Sequence, residues 1–224
     1  LEEKGGELEE NIPPWVRVKY IFKDCKSIRE NIILSIKKFK IRDTIKFIYS
    51  GIRIYILKDE YKIYKDRSII LPRRKEKYDI AISYHNPINL STIYVIDKLN
   101  ADKKVMWIHT DINKNDKNFD YLKKYYYKYD KVFAVSPGSY SAFVDKYPDL
   151  KSKTEVFLNR IVKDEIIQKI DNKNYYNDYY GIKLLTVGRI CYQKAVDLIP
   201  SICKKLKDNG YNFKWYYVGW GEIE

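Results

Sequence analysis

The stretch IKLLTVGRICYQKAVDLIPSICKKL, residues 182–206, carries the clearest indication of the fold. An apolar run is followed at once by Gly188 and Arg189, and Lys194 comes just before a helical pattern at about 195–207. Ligands of parallel sheets bind at the carboxyl ends of strands, and a helix that begins there offers free amides to an anion. The stretch therefore predicts a strand, a turn and a helix with two cations at the rim, which suits a diphosphate. A solvent-facing arginine and a helix-surface lysine are the alternative.

The same rhythm of short apolar runs and amphipathic segments precedes this stretch. We expect strands at 78–84, 104–109, 131–136, 154–159, 182–187 and 212–218, with helices between them at 89–99, 118–129 and 138–147. Strands that alternate with helices predict an α/β fold whose parallel sheet is covered on both faces.

The amino-terminal quarter has a different pattern. WVRVKYIF, residues 15–22, alternates as a strand does, and residues 28–65 place apolar side chains at helical spacing. We expect one or two amphipathic helices there, with Gly51 as a point of interruption. Further on, Ser136 followed by a proline predicts a capped helix start.

A polar, tyrosine-rich segment, NKNYYNDYYG at 172–181, interrupts the rhythm and predicts a domain boundary. We expect a first domain at 1–175 and the beginning of a second at 176–224. The second contains only one strand-helix-strand unit, which is too little for a stable domain. The second domain is therefore expected to be incomplete in this sequence.

The charge is concentrated near the start of the chain. The net charge is +13, and the segment from Arg17 to Lys77 holds 19 basic and 7 acidic residues. Such a surplus suits nucleic acid or an anionic membrane surface, while a solvated lysine-rich surface is the alternative. The three cysteines are far apart and form no CxxC pair, so we expect neither a disulfide framework nor a metal site. No apolar run reaches the length of a membrane span.

The segment LLTVGRICYQKAVDLIPSICKKLKDNGYNFKWYYVGWGE resembles the donor-domain entrance of family 4 (group 1) retaining glycosyltransferases of the GT-B fold. That family has V-G-R after an apolar strand, then four residues, Lys-Gly, a helix, a strand and G-x-G. The resemblance implies that Gly188, Arg189 and Lys194 bind the donor diphosphate. It also implies that Gly219 and Gly221 form a loop of the nucleotide cleft.

Other segments extend the resemblance over nearly all of the chain. They are VSPGSYSAFVDKYP, TEVFLNRI and the opening LEEKGGELEENIPP. Two positions depart from the pattern, because Ala195 stands where glycine usually follows the lysine and Trp220 fills the G-x-G loop. The family's glycine-rich loop would precede Leu1, and its pair of donor-binding glutamates would follow Glu224. The resemblance thus implies a segment of a longer protein.

The chain has two histidines, and both follow predicted strands. The resemblance favours His109, at the end of VMWIH, as the catalytic residue near the transferred sugar. His85 is expected to have a turn role, and Asp111 is a weaker candidate for a polar contact.

The resemblance implies a hexosyltransferase that moves a sugar from a nucleotide-diphosphate sugar to a surface-polysaccharide or glycolipid acceptor. It implies two Rossmann-like domains, no cofactor and no metal. The cysteine usage predicts a reducing, cytoplasmic location, and the basic early helices predict association with an anionic membrane surface at its inner face. The segment alone is expected to lack turnover. A non-catalytic sugar-nucleotide-binding module is the first alternative. A nucleic-acid-binding protein is the second alternative. The sequence contains no recognised nucleic-acid-binding motif, and nucleic acid is not expected as a partner.

Overall fold

The structure is a computed structural model of the 224-residue chain. It describes residues 9–23, 25–56, 64–84, 89–110, 112, 119–168, 170, 176 and 178–221. The chain divides into two compact units, Leu1–Arg160 and Ile161–Glu224. The boundary predicted after residue 175 lies inside the second unit.

The first unit is built on a sheet of four parallel strands in the order β1-β2-β3-β4. The strands are β1 (Lys77–Ser83), β2 (Asn100–Ile108), β3 (Lys131–Ala134) and β4 (Thr154–Val156). In the register, Ile82 lies beside Val105, and Trp107 lies beside Phe133. The predicted α/β class with parallel strands is confirmed.

Six α-helices are described in the first unit. They are α1 (Ile28–Lys37), α2 (Ile41–Ile56), α3 (Tyr64–Arg67), α4 (Leu90–Lys98), α5 (Phe119–Tyr126) and α6 (Pro137–Lys146). The start of α6 is as predicted, because the Ser136 side chain accepts a hydrogen bond from the Ser139 amide and Pro137 lies in the first turn. Short 3-10 helices lie at Glu9–Asn11, Ser68–Ile70 and Pro148–Lys153.

The core of the first unit lies on one face of the sheet. Helices α4 and α6 contact the strands there. Ile93 of α4, Met106 of β2, Val132 of β3 and Phe143 of α6 are completely buried. Full burial of one such side chain contributes roughly 1.5–3 kcal/mol, so this layer is the main source of stability in the unit.

The opposite face of the sheet is open. Ile80, Ile82 and Phe157 point away from the core and are 58%, 48% and 52% exposed. The prediction that both faces are covered is therefore wrong for these residues. Alternation along a strand shows that the sheet has two faces. When residues on both faces are apolar, however, the sequence does not reveal which face the helices cover.

Two helices, rather than one, occupy residues 28–56, within the predicted range. The break falls at Phe39, whose φ is 52°, and not at Gly51, which lies inside α2. A Cβ atom at Gly51 would stand 3.4 Å from Ile28 Cγ2, at ordinary van der Waals distance, so Gly51 faces the start of α1.

The predicted strand at 15–22 is wrong, since no residue of that segment belongs to a strand. Ile21 and Phe22 instead pack against the small cluster of Leu71, Leu90 and Tyr94. These apolar side chains are partly buried by packing on that cluster, and they do not belong to a strand.

The second unit contains two parallel strands, β5 (Ile182–Val187) and β6 (Phe213–Val218). Two α-helices are described, α7 (Lys163–Gln168) and α8 (Ile199–Asp208), and 3-10 turns lie at Tyr192–Lys194 and Val196–Leu198. No side chain among the described residues of this unit is buried, and Val187 is 70% exposed. The unit therefore has little apolar core of its own.

Candidate functional site

The carboxyl ends of β5 and β6 meet at one edge of the small sheet. Val187 and Val218 are register partners, and each is the last residue of its strand. Gly188 and Arg189 follow the first strand, while Gly219 follows the second. Because the strands are parallel neighbours, the two predicted loops lie side by side. We call these loops, residues 188–194 and 219–221, the rim.

Backbone hydrogen bonds join the two loops beyond the ends of the strands. The Gly188 amide donates to the Val218 carbonyl at 3.0 Å, and the Ile190 amide donates to the Trp220 carbonyl at 3.0 Å. The Tyr217 hydroxyl donates to the Arg189 carbonyl at 2.9 Å. These bonds give the rim a defined backbone although the side chains of Arg189 and Lys194 are exposed.

The glycines of the G-x-G loop are required by this close pairing. A Cβ atom at Gly219 would stand 1.7 Å from the Gly188 carbonyl oxygen. A Cβ atom at Gly221, where φ is 150°, would stand 2.5 Å from the Ile190 carbonyl oxygen. Both distances are far inside van der Waals contact with backbone, so a side chain at either position would force the loops apart.

Arg189 is exposed on the rim. Its guanidinium donates a hydrogen bond to the neutral Gln193 side chain at 3.2 Å, which leaves its charge uncompensated by that contact. Within the described residues it takes part in no ion pair. The remaining N–H groups of the guanidinium can therefore donate to a phosphate.

Lys194 ends a 3-10 turn, and its amide donates to the Cys191 carbonyl at 3.0 Å. Its Cγ and Cδ lie 3.8 and 3.9 Å from the point where a Cβ of Gly188 would stand. The lysine stem thus passes over Gly188, on the same part of the rim as Arg189. The predicted cations are brought together with the predicted glycines at one edge.

The helix that was expected to begin at 195 begins at Ile199, so the prediction that Lys194 stands at its start is wrong. Ala195 has φ 52° and ψ 35°, in the left-handed region, and separates two 3-10 turns. The apolar residues after Ala195 have helical spacing. The left-handed backbone of Ala195, however, prevents α-helical hydrogen bonds from continuing across it. The amides near Lys194 therefore belong to turns.

His109 belongs to the first unit and directly follows β2. Its half-buried ring meets the ring of Tyr84, which follows β1, with centroids 4.8 Å apart in an edge-to-face arrangement. The two side chains come from neighbouring parallel strands, as the sheet order requires. His85 and Asp111 lie outside the described residues.

An aromatic row on the open face of the first sheet was not recognised in the sequence. Trp107 lies 5.4 Å from Tyr84, 4.7 Å from Phe133 and 5.4 Å from Phe157, as measured between ring centroids. The signal was present, because each successive strand region places one aromatic residue on that face. The row continues to His109 through Tyr84, so this histidine borders an aromatic surface.

Comparisons with known proteins leave the family open. No family model matches the chain, and no curated protein matches it. Among the described residues, none of the helices is both long enough and apolar enough to cross a membrane.

Proposed function

We propose that the rim binds the diphosphate of a nucleotide sugar, and that the protein is a retaining glycosyltransferase acting on a saccharide or lipid-linked acceptor. The pairing of the V-G-R and G-x-G loops, with Arg189 and Lys194 on the same edge, is the observation that carries the proposal. The ordered sequence resemblance supports the reaction class and the two-domain GT-B architecture.

The chemistry follows from the charge of the leaving group. When the bond between the sugar and the diphosphate breaks, negative charge grows on the diphosphate oxygens. Two cations held against a fixed backbone stabilise that charge more than they stabilise the intact donor. Arg189 supplies a forked donor suited to two phosphate oxygens, while Lys194 supplies a compact charge.

His109 is the proposed catalytic residue on the acceptor side, near the transferred sugar. Its imidazole is positioned by the edge contact with Tyr84. A neutral imidazole accepts a hydrogen bond on one nitrogen and donates one from the other, which suits a sugar hydroxyl. We expect His109→Gln to lower the rate of sugar transfer while leaving the affinity for UDP or GDP unchanged.

Donor binding is tested by titrating UDP and GDP into the ¹⁵N-labelled chain and following its amide resonances. We expect the resonances of the rim to shift. Removing one charged hydrogen bond costs about 1.5–3 kcal/mol, so Arg189→Ala and Lys194→Ala should each weaken affinity roughly ten- to a hundredfold. Lys204→Ala is the matched control, because Lys204 is exposed on α8 and not on the rim. Unchanged affinity in both rim variants would refute the assignment.

Transfer is tested by measuring release of UDP or GDP from a panel of nucleotide sugars by the natural gene product that contains this chain. We expect release that depends on Arg189 and Lys194. Tight binding without release from any donor and acceptor pair would favour the non-catalytic sugar-nucleotide-binding module instead.

A further inference from the structure

A cavity lies in the first unit, among α2, α3, α4, α5 and the segment 68–73. Its volume is about 650 Å³. It lies near Lys98, just before the amino end of β2, whereas His109 follows the carboxyl end of the same strand. The cavity is therefore separate from the end of the first sheet where His109 lies, and no residue of the rim lines it.

The walls of this cavity are strongly cationic. Among the described residues, six cationic side chains and only two carboxylates, Asp66 and Asp97, line it. The cations are Lys46, Arg53, Lys65, Arg73, Lys98 and Lys124. They come from five separate parts of the chain, so their convergence is a product of the fold.

Both carboxylates are already engaged. Asp66 accepts hydrogen bonds from Arg53 Nε and Ser50 Oγ, each at 3.1 Å, and its side chain is only 10% exposed. Asp97 accepts one from the Tyr125 hydroxyl at 3.1 Å. The first pair neutralises Arg53 and fixes one wall, which leaves, in the part of the cavity that the structure describes, five other cations against a single carboxylate.

The cations also crowd one another. Burial lowers the pKa of the half-buried Lys98, and the neighbouring charges of Lys46 and Arg73 lower it further. Partial desolvation lowers the pKa of the exposed Lys124 as well, and the charge of Lys65 adds to that effect. Of these five cations Lys98 is half-buried and the other four are exposed, and all five line the same cavity. An anion between them would relieve the repulsion.

A second cavity of about 390 Å³ extends the first past Arg73 and Lys98 to Arg74. The Arg74 amide donates to the Lys98 carbonyl at 3.0 Å, which fixes the backbone beside the shared wall. The cationic surface is thus longer than a single phosphate requires.

We propose that this cavity binds a ligand with two or more phosphate groups. The group formed by Lys46, Arg73 and Lys98 faces one phosphate, and the pair formed by Lys65 and Lys124 faces another. The ligand is either a soluble oligophosphate or the phosphate headgroup of an anionic lipid, because both present the same oxygens to the same cations. A charged, partly enclosed pocket favours such a compact anion over a long nucleic acid strand.

The test uses the full chain carrying Arg189→Ala and Lys194→Ala, so that the rim does not contribute to binding. Inorganic tripolyphosphate is titrated by calorimetry into this protein and into forms that also carry Lys98→Gln or Lys124→Gln. We expect each glutamine to weaken affinity about ten- to a hundredfold, as the loss of one charged hydrogen bond does. Lys98→Arg should retain binding. Lys151→Gln, an exposed change outside the cavity, should have no effect.

Flotation with vesicles of cardiolipin, whose headgroup carries two phosphates, and phosphatidylcholine, against phosphatidylcholine alone, distinguishes the two sources. A lipid headgroup predicts flotation with the anionic vesicles that Lys98→Gln reduces and Lys151→Gln does not. A soluble ligand predicts tripolyphosphate binding without flotation. Circular dichroism checks that each variant is folded, and the exposed Lys124 provides a test that is independent of Lys98.

Two results would overturn the proposal. One is equal tripolyphosphate affinity, and equal flotation, with and without the glutamine substitutions. The other is that the rim double variant binds no tripolyphosphate at all, although the unaltered chain does. The second result would leave the proposed function intact, because it would assign all phosphate binding to Arg189 and Lys194.

Discussion

Replacing Ala195 by glycine should stabilise the second unit. Ala195 holds φ 52° and ψ 35° between two 3-10 turns, on the loop that carries Lys194. An L-residue in this region brings its Cβ close to the following carbonyl oxygen. Glycine has no Cβ and adopts the same backbone without strain. The side chain of Ala195 is exposed, so little buried surface is lost.

The expected gain is the difference between two opposing effects. Relief of left-handed strain contributes roughly 1–2 kcal/mol. The greater freedom of glycine in the unfolded chain opposes it by about 0.4–1 kcal/mol. The net stabilisation therefore lies between about 0 and 1.6 kcal/mol, which corresponds to a rise in Tm of roughly 0–6 °C for a chain of this size.

Urea denaturation and thermal melting, followed by tryptophan fluorescence and circular dichroism, measure this change. Phe39→Gly is a second test with the same expected sign, because Phe39 also has φ 52° and is 92% exposed. Ala142→Gly is the opposite control, since Ala142 is buried inside α6 and glycine there should cost about 1 kcal/mol. A loss of stability in Ala195→Gly equal to that in Ala142→Gly would refute the reasoning.

Three further changes test the fold. Gly219→Ala should disrupt the rim and lower the Tm, because the new Cβ would stand 1.7 Å from the Gly188 carbonyl oxygen. Gly138→Ala is the control, because its nearest neighbour would be 3.9 Å away, and we expect its Tm to be unchanged or raised. Burial raises the pKa of Tyr129 above the unfolded value of about 10, so its stabilisation is present below pH 10 and is lost as pH rises further. Stability of Tyr129→Phe, measured by urea unfolding from pH 8 to 12, should therefore fall less steeply than that of the unaltered chain. Ser136→Ala should cost about 1 kcal/mol in the same assay, because it removes the cap of α6, and no change would exclude that role.

The strands and most helices could be predicted because their signals are local. Each of the six described strands overlaps a predicted segment, although β2 begins at Asn100, four residues before its prediction, and the cap at Ser136 is present. The predictions that were wrong concern segments whose local pattern is compatible with more than one tertiary structure. The alternating segment at 15–22 satisfies its apolar residues by packing Ile21 and Phe22 on a neighbouring cluster. The helical spacing after Lys194 is interrupted because Ala195 adopts a conformation that its identity disfavours.

The candidate site divides in the same way. The sequence by itself determined that Arg189, Lys194 and the glycines lie in loops that directly follow two apolar strands. The ends of strands and the spacing of glycines can both be recognised from local sequence. Only the tertiary structure decided that the Gly188 carbonyl lies where a Cβ of Gly219 would be, since that depends on parallel pairing of the strands. It alone brought together Lys46, Lys98 and Lys124 around one cavity. Side chains so distant in sequence become neighbours only when helices pack, and packing depends on complementary surfaces rather than on local periodicity.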